Sequence, residues 1–204
     1  MGPARTHRRS IRGAMTTTLA ALGSGLEPTV AQQVYRAVLD AFSRPGLEVA
    51  LPAAEHPAAL LPVLALADLE TPIHLVDDSG TWRDIVAVAT GAPEIDPGGA
   101  RFVTTLVPLI PELVAESAPG SAGAPEKGAT LIALVPSLTG GTPLTLTGPG
   151  VNGTVDIAPD VDPDVWQARE QAATFPAGID LLLVTDSGTA IGIPRTTRVA
   201  RKEQ

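Results

Sequence analysis

Apolar residues recur at Val30, Val34, Val38 and Phe42, a spacing of four that lines one face of a helix. Thr29 with Gln32 forms a capping box that would start this helix. It must end at Arg44, because Pro45 disfavours helix in the residue before it and Gly46 supplies a reversal. Residues 47–51 then read as a strand. A second apolar helix is expected over 57–69, interrupted at Pro62. Residues 73–76 read as a buried strand, closed by Asp77-Asp78-Ser79-Gly80. The pattern continues with a helix over 82–90, a strand over 102–106, a short helix over 111–117 and a loop over 118–125. The stretch 93–125 carries no motif.

From Ala129 the pattern changes to strands. Residues 130–136 and 144–147 flank Gly140-Gly141, a pair suited to a tight hairpin turn. A polar helix is expected over 163–173, stopped by Phe175-Pro176-Ala177-Gly178. A last hairpin joins 179–185 to 189–193. With Ser187-Gly188 as a two-residue turn, Asp186 pairs with Thr189 and Asp180 lies opposite Arg195. Leu182, Val184, Ile191 and Ile193 would share that face, with Leu181, Leu183, Ala190 and Gly192 on the other. Both faces are apolar, so the hairpin is expected to be central and buried.

Composition bounds the rest. The 204 residues are 44% hydrophobic but only 3% aromatic, with 20 Pro and 20 Gly, so the core is aliphatic and the elements are short. This is an α/β composition, read as a three-layer arrangement with a mixed sheet flanked by helices. A flexible extension over 1–15, with Met15 as an alternative start, is expected to precede a single domain over 16–204. The net charge of −8, with Arg5, Arg8, Arg9 and Arg12 all in the extension, argues against nucleic acid as a partner. The apolar run 19–22 is too short for a secretion signal and no segment is long enough to span a membrane, so a cytoplasmic protein is expected. The absence of cysteine excludes disulfides, thiolate metal sites, a Cys nucleophile and an iron-sulfur cluster held by this chain alone.

Candidate chemistry is sparse. No GxSxG, P-loop or Rossmann glycine pattern occurs. His7, His56 and His74 are scattered and form no ligand motif. Lys127, in a Pro-Glu-Lys-Gly context, reads as an exposed loop residue rather than a Schiff-base lysine. What remains is phosphate contact. Gly148 and Gly150, in Thr147-Gly148-Pro149-Gly150, offer a backbone nest, and Arg195 with Thr196, Thr197 and Arg198 offers cations and hydroxyls. Each has a structural alternative. The glycines turn the chain after a strand, and Arg195 pairs with Asp180 or stitches a subunit interface.

Several segments in order carry a resemblance: Gly128-Ala129-Thr130-Leu131-Ile132, Leu144-Thr145-Leu146-Thr147-Gly148-Pro149-Gly150, Phe175-Pro176-Ala177-Gly178-Ile179-Asp180 and Ile193-Pro194-Arg195-Thr196-Thr197. Weaker matches are Phe42-Ser43-Arg44-Pro45-Gly46 and Ala67-Asp68-Leu69-Glu70-Thr71-Pro72. From about Gln33 to Val199 the chain resembles the PhnH family of the carbon-phosphorus lyase system. The resemblance implies a reduced pyridoxal-phosphate-transferase-like fold without the cofactor, and a homodimer. It also implies an accessory role beside PhnG, PhnI and PhnL in making alpha-D-ribose 1-methylphosphonate 5-triphosphate from ATP and methylphosphonate. The carbon-phosphorus bond is then broken by the radical iron-sulfur subunit PhnJ, a role closed to a chain without cysteine. Such a subunit is expected to hold no cofactor and not to be catalytic alone. The competing expectation is an independent nucleotide- or phosphate-binding enzyme using Arg195 and the 147–150 loop.

Overall fold

Helix α1 (Pro28–Ser43) buries the predicted stripe, with Val34 and Ala41 inaccessible and Val30, Val38 and Phe42 packed beside them. The computed structural model describes residues 25–202, so the expectations for the N-terminal extension, the 19–22 run and His7 lie outside the described residues. The capping box does not form. Pro28 takes the first turn, where its missing N–H is no loss, and Glu27 is the N-cap residue without a side-chain bond. Thr29 and Gln32 therefore lie inside the helix. The expected strand over 47–51 shrinks to β1 (Val49–Ala50), which pairs only with a later strand at the sheet edge.

The helix expected over 57–69 is shorter. A 3-10 turn (Ala58–Leu60) runs into α2 (Leu61–Leu66), and Pro62 stands in the first turn rather than kinking the middle. Then follow β2 (Ile73–Val76), α3 (Thr81–Thr90), β3 (Phe102–Thr105) and α4 (Pro111–Glu116), within one residue of the pattern.

Asp77 organises the entry to α3. Its Oδ1 accepts the Ser79 N–H at 3.0 Å and the Ser79 hydroxyl at 2.7 Å, and its Oδ2 accepts the Trp82 N–H at 2.9 Å. Partial burial pushes the carboxyl pKa up, but these bonds and the Arg83 charge outweigh it, and the net shift is downward. Asp77→Ala is expected to cost about 1 kcal/mol, the size of a side-chain bond to an otherwise free first-turn N–H, although the N-cap position itself is Gly80. Because the folded pKa lies below the unfolded one, this contribution is present above the unfolded value and lost as pH falls through the folded one. Urea midpoints of wild type and variant should differ at neutral pH and converge in strong acid.

The remaining elements are β4 (Thr130–Val135), β5 (Leu144–Thr147), β6 (Val155–Ile157), α5 (Pro163–Ala172), β7 (Asp180–Thr185), β8 (Thr189–Ile193) and β9 (Arg198–Arg201). The large sheet has the order β1-β8-β7-β4-β3-β2, in which β2, β3, β4 and β7 are parallel and β8 and β1 antiparallel. Helices α4 and α5 cover one face through Leu113, Val114, Val165 and Ala168. Helices α1, α2 and α3 cover the other through Val34, Ala41, Leu61, Val63 and Val86. The expected mixed sheet flanked by helices is present, and a second sheet of order β6-β5-β9 stands beside it.

That second sheet overturns the hairpin expected at Gly140-Gly141. β4 pairs with β3 and β7, whereas β5 pairs with β6 and β9. Leu131, Ile132 and Ala133 are buried on both faces, which is the environment of a central parallel strand rather than of a hairpin arm. Gly140, at φ 87°, turns the chain. Gly141 instead presses against another segment, since a Cβ there would lie 1.9 Å from the Pro159 carbonyl oxygen.

The last hairpin forms one residue out of the expected register. Leu181 pairs with Ile193 and Val184 with Ala190, so the loop is Asp186-Ser187-Gly188. Gly188 at φ 83° takes the left-handed position that a three-residue loop requires. The slip regroups the faces. Leu181, Leu183, Ile191 and Ile193 join the core under α4 and α5, and Leu182, Val184 and Ala190 join the other. Central burial holds as expected, with Leu181, Leu182, Leu183 and Val184 all fully buried.

Candidate functional site

Asp180 begins β7, and Pro194 ends β8 by withholding a ladder donor. The following turn closes with the Thr197 N–H on the Pro194 carbonyl at 2.8 Å. In the observed register Arg195 lies one position beyond direct opposition to Asp180, and the turn carries it back. The pair therefore forms, by a route different from the expected cross-strand facing. Asp180 Oδ1 accepts the Arg195 main-chain N–H at 2.6 Å and Nε at 3.2 Å. Oδ2 accepts Nε at 3.1 Å and Nη2 at 2.5 Å. Nη1 donates to the Pro125 carbonyl. The two side chains are 17% and 18% exposed, so the guanidinium is largely covered, and all three of its nitrogens are bonded between two partners.

Glycine makes this crossing possible. A Cβ on Gly128 would lie 2.4 Å from Arg195 Nη1 and 2.7 Å from the Gly178 carbonyl, and one on Gly178 would lie 3.0 Å from Arg195 Cβ. Three motifs far apart in the sequence, around Gly128, Gly178 and Arg195, thus meet at one junction.

The 147–150 loop forms a second junction. A Cβ on Gly150 would lie 2.6 Å from the Ser43 carbonyl oxygen and 2.8 Å from Pro45 Cδ. One on Gly148 would lie 3.0 Å from the Thr196 carbonyl. The loop is therefore wedged between the end of α1 and the 194–197 turn, and its glycines answer to close packing of main chain. Thr196 is exposed, whereas Thr197 is buried with its hydroxyl unpartnered. Arg198 is exposed at the start of β9, paired in register with Thr147.

Arg169 is the residue sequence reasoning missed. It projects from α5, is 5% exposed, and donates from Nη2 to the Pro194 carbonyl at 2.6 Å and from Nη1 to the Thr197 carbonyl at 3.3 Å. Burial lowers its pKa to about 10, opposed by the charge of Asp180. Asp180 thus bonds the Arg195 guanidinium directly and acts on the charge of Arg169 from beyond ion-pair distance. The signal in the sequence was slight: Arg169 follows Val165 by four residues and so shares its buried face.

The other candidates are engaged separately. His56 lies tilted against Trp82 with ring centroids 6.0 Å apart, and His74 Nδ1 is 2.9 Å from the Ile95 carbonyl. Lys127 is exposed at the end of the 3-10 turn Pro125–Lys127.

Fold and site together define a mixed α/β protein whose motif residues converge on two packed junctions. Residues 25–200 match the family model described as bacterial phosphonate metabolism protein (PhnH), and the chain belongs to the PhnH family. It is 35% identical over 192 residues to the alpha-D-ribose 1-methylphosphonate 5-triphosphate synthase subunit PhnH of Rhizobium meliloti, covering 84% of this chain and 91% of that protein. It is 34% identical over 181 residues to HtxG of Stutzerimonas stutzeri, a protein named provisionally as a C-P lyase subunit, covering 84% of this chain and 86% of that one.

Proposed function

We propose that this chain is an accessory subunit of the carbon-phosphorus lyase system. It would support the synthesis of alpha-D-ribose 1-methylphosphonate 5-triphosphate from ATP and methylphosphonate without being catalytic alone. The observation that carries this reading is the state of Arg195, whose N–H groups are committed to Asp180 and Pro125 inside a glycine-lined crossing. Asp180, Arg195, Gly148 and Gly150 serve on this reading as structural elements, with Thr196 and Thr197 in the turn that joins them. The subunit names of both relatives supply the system to which the chain is assigned.

The partners on this reading are homologues of PhnG, PhnI, PhnJ and PhnL, in the cytoplasm, with the chain itself a homodimer. No helix among the described residues is long and apolar enough to cross a membrane. The reduced transferase-like fold belongs to the same proposal. Its support is a mixed sheet with helices on both faces, and the exposed position of Lys127 does not suit a Schiff base.

The test is co-expression of the tagged chain with the PhnG, PhnI and PhnJ homologues of its own organism, followed by size-exclusion chromatography. A stoichiometric complex is expected, and the purified chain alone should convert neither ATP nor methylphosphonate. Turnover by the isolated chain, or elution free of all three proteins, would overturn the reading.

A further inference from the structure

We propose that the end of the large sheet where its parallel strands begin is a docking surface for a basic, apolar-pocketed face of another subunit, with Phe175 and Leu69 as its anchors. This rests on the subunit reading above. Two segments that enter parallel strands each leave a large apolar side chain outside the core. Phe175, ahead of β7, is 83% exposed, and Leu69, ahead of β2, is 76% exposed. Among the described residues these are the most exposed large hydrophobics. In a chain with only three Phe, setting one in solvent runs against the demand of the core.

The two anchors are displayed by fixed turns. The Ala177 N–H donates to the Thr174 carbonyl at 2.8 Å, and the Gly178 N–H donates to the Pro119 carbonyl at 2.7 Å. At the other turn Asp68 Oδ1 accepts the Glu70 N–H at 3.0 Å and the Thr71 hydroxyl at 2.7 Å. Preorganised aromatic and aliphatic side chains of this kind lose little freedom on binding. β7 and β2 are three strand steps apart, with β4 and β3 between, which places the starts of the two strands roughly 14 Å from each other at the normal strand spacing.

Charge selects the occupant. The segments entering β2, β3 and β4 carry exposed Asp68, Glu70, Asp96 and Glu126 against exposed Lys127 and half-buried Arg101. A second copy of this acidic chain would set like charge against like at this rim. A partner with apolar pockets bordered by Lys and Arg has the complementary field. The Leu69 and Phe175 turns lie in two of the segments that carry the family resemblance. Their polar and small residues are used in the turns themselves, while the Phe175 side chain stands in solvent and Leu69 meets Gly91 at the end of α3 with most of its surface still exposed.

The experiment measures binding of the full chain to the purified remainder of its co-expressed complex, with circular-dichroism melting as the fold check. Phe175→Ser and Leu69→Ser should each weaken binding about tenfold or more, and the double variant about a hundredfold, with the melting curve unchanged. Glu126→Lys with Asp96→Lys should slow association at low salt. Leu39→Ser, on the exposed face of α1, should leave binding unchanged. Equal binding by the double variant and wild type would overturn the docking surface while leaving the subunit reading intact. Loss of self-association by the double variant, with binding to the remainder unchanged, would assign the surface to a second copy and overturn the proposal equally. Failure of the wild-type chain to bind the remainder at all would overturn the subunit reading itself, and the docking surface with it.

Discussion

Asp180→Ala should lower stability by about 3 kcal/mol, the lower end of the cost of breaking a buried ion pair, since this pair retains some exposure. Asp180 is the carboxylate for Arg195 and also offsets the charge of the buried Arg169. Its removal leaves the Arg195 guanidinium without its ion-pair partner and the buried Arg169 charge less compensated. For a domain of this size the loss corresponds to a fall in Tm of about 6–12 °C, readable by calorimetry. Asp180→Asn, which keeps the shape and one acceptor, should fall between wild type and Ala. Arg195→Ala should also lower Tm, by less, because it removes one of the two cations along with the bonds. The phosphate-grip reading predicts the opposite pattern for Arg195→Ala: an unchanged Tm and weakened ATP binding.

Gly192→Ala should be comparably damaging through sterics alone. A Cβ at this position would lie 2.6 Å from the Ala41 carbonyl oxygen and 2.9 Å from the Phe42 nitrogen. These are main-chain atoms of α1, so no rotamer change relieves the overlap. Either the helix lifts from the sheet, disturbing Val34 and Ala41 in the core, or β8 bends. Overpacking of this sort costs about 3 kcal/mol at the upper end of its usual range. Pairing the substitution with Ala41→Gly should bring no recovery, because the contact is to backbone rather than to the Ala41 methyl. Urea unfolding of the single and double variants checks both statements.

The two junctions show what was legible beforehand and what was not. Sequence pattern located Asp180 and Arg195 as partners, yet the registration behind that inference was off by one residue. The pair survives the slip because Pro194 ends the strand and the turn after it, rather than the ladder, sets the position of Arg195. The glycines of the 147–150 loop were visible as a turn or an anion nest. Only the approach of the Ser43–Pro45 segment, about a hundred residues earlier in the chain, reveals why Gly150 has no room for a side chain. Arg169 was hidden because an arginine on a polar helix ordinarily faces water. The carbonyls that receive it come from a turn some 25 residues away.

By itself the sequence determined the elements whose causes are local. The apolar stripe of α1, its stop at Arg44, the strand at 73–76, the helix at 82–90 and the burial of the 180–193 hairpin follow from period, proline and glycine placed within a few residues of one another. Tertiary structure decided which strands pair. β4 and β5 are neighbours in the chain with a glycine turn between them, but β4 is apolar on both faces and its burial is satisfied only between β3 and β7. Hydrophobic burial on both faces outweighs the local hairpin preference, since the turn fixes a few dihedrals while the sheet removes a whole strand from water. The same long-range packing also left Phe175 and Leu69 in solvent, which no local pattern specifies.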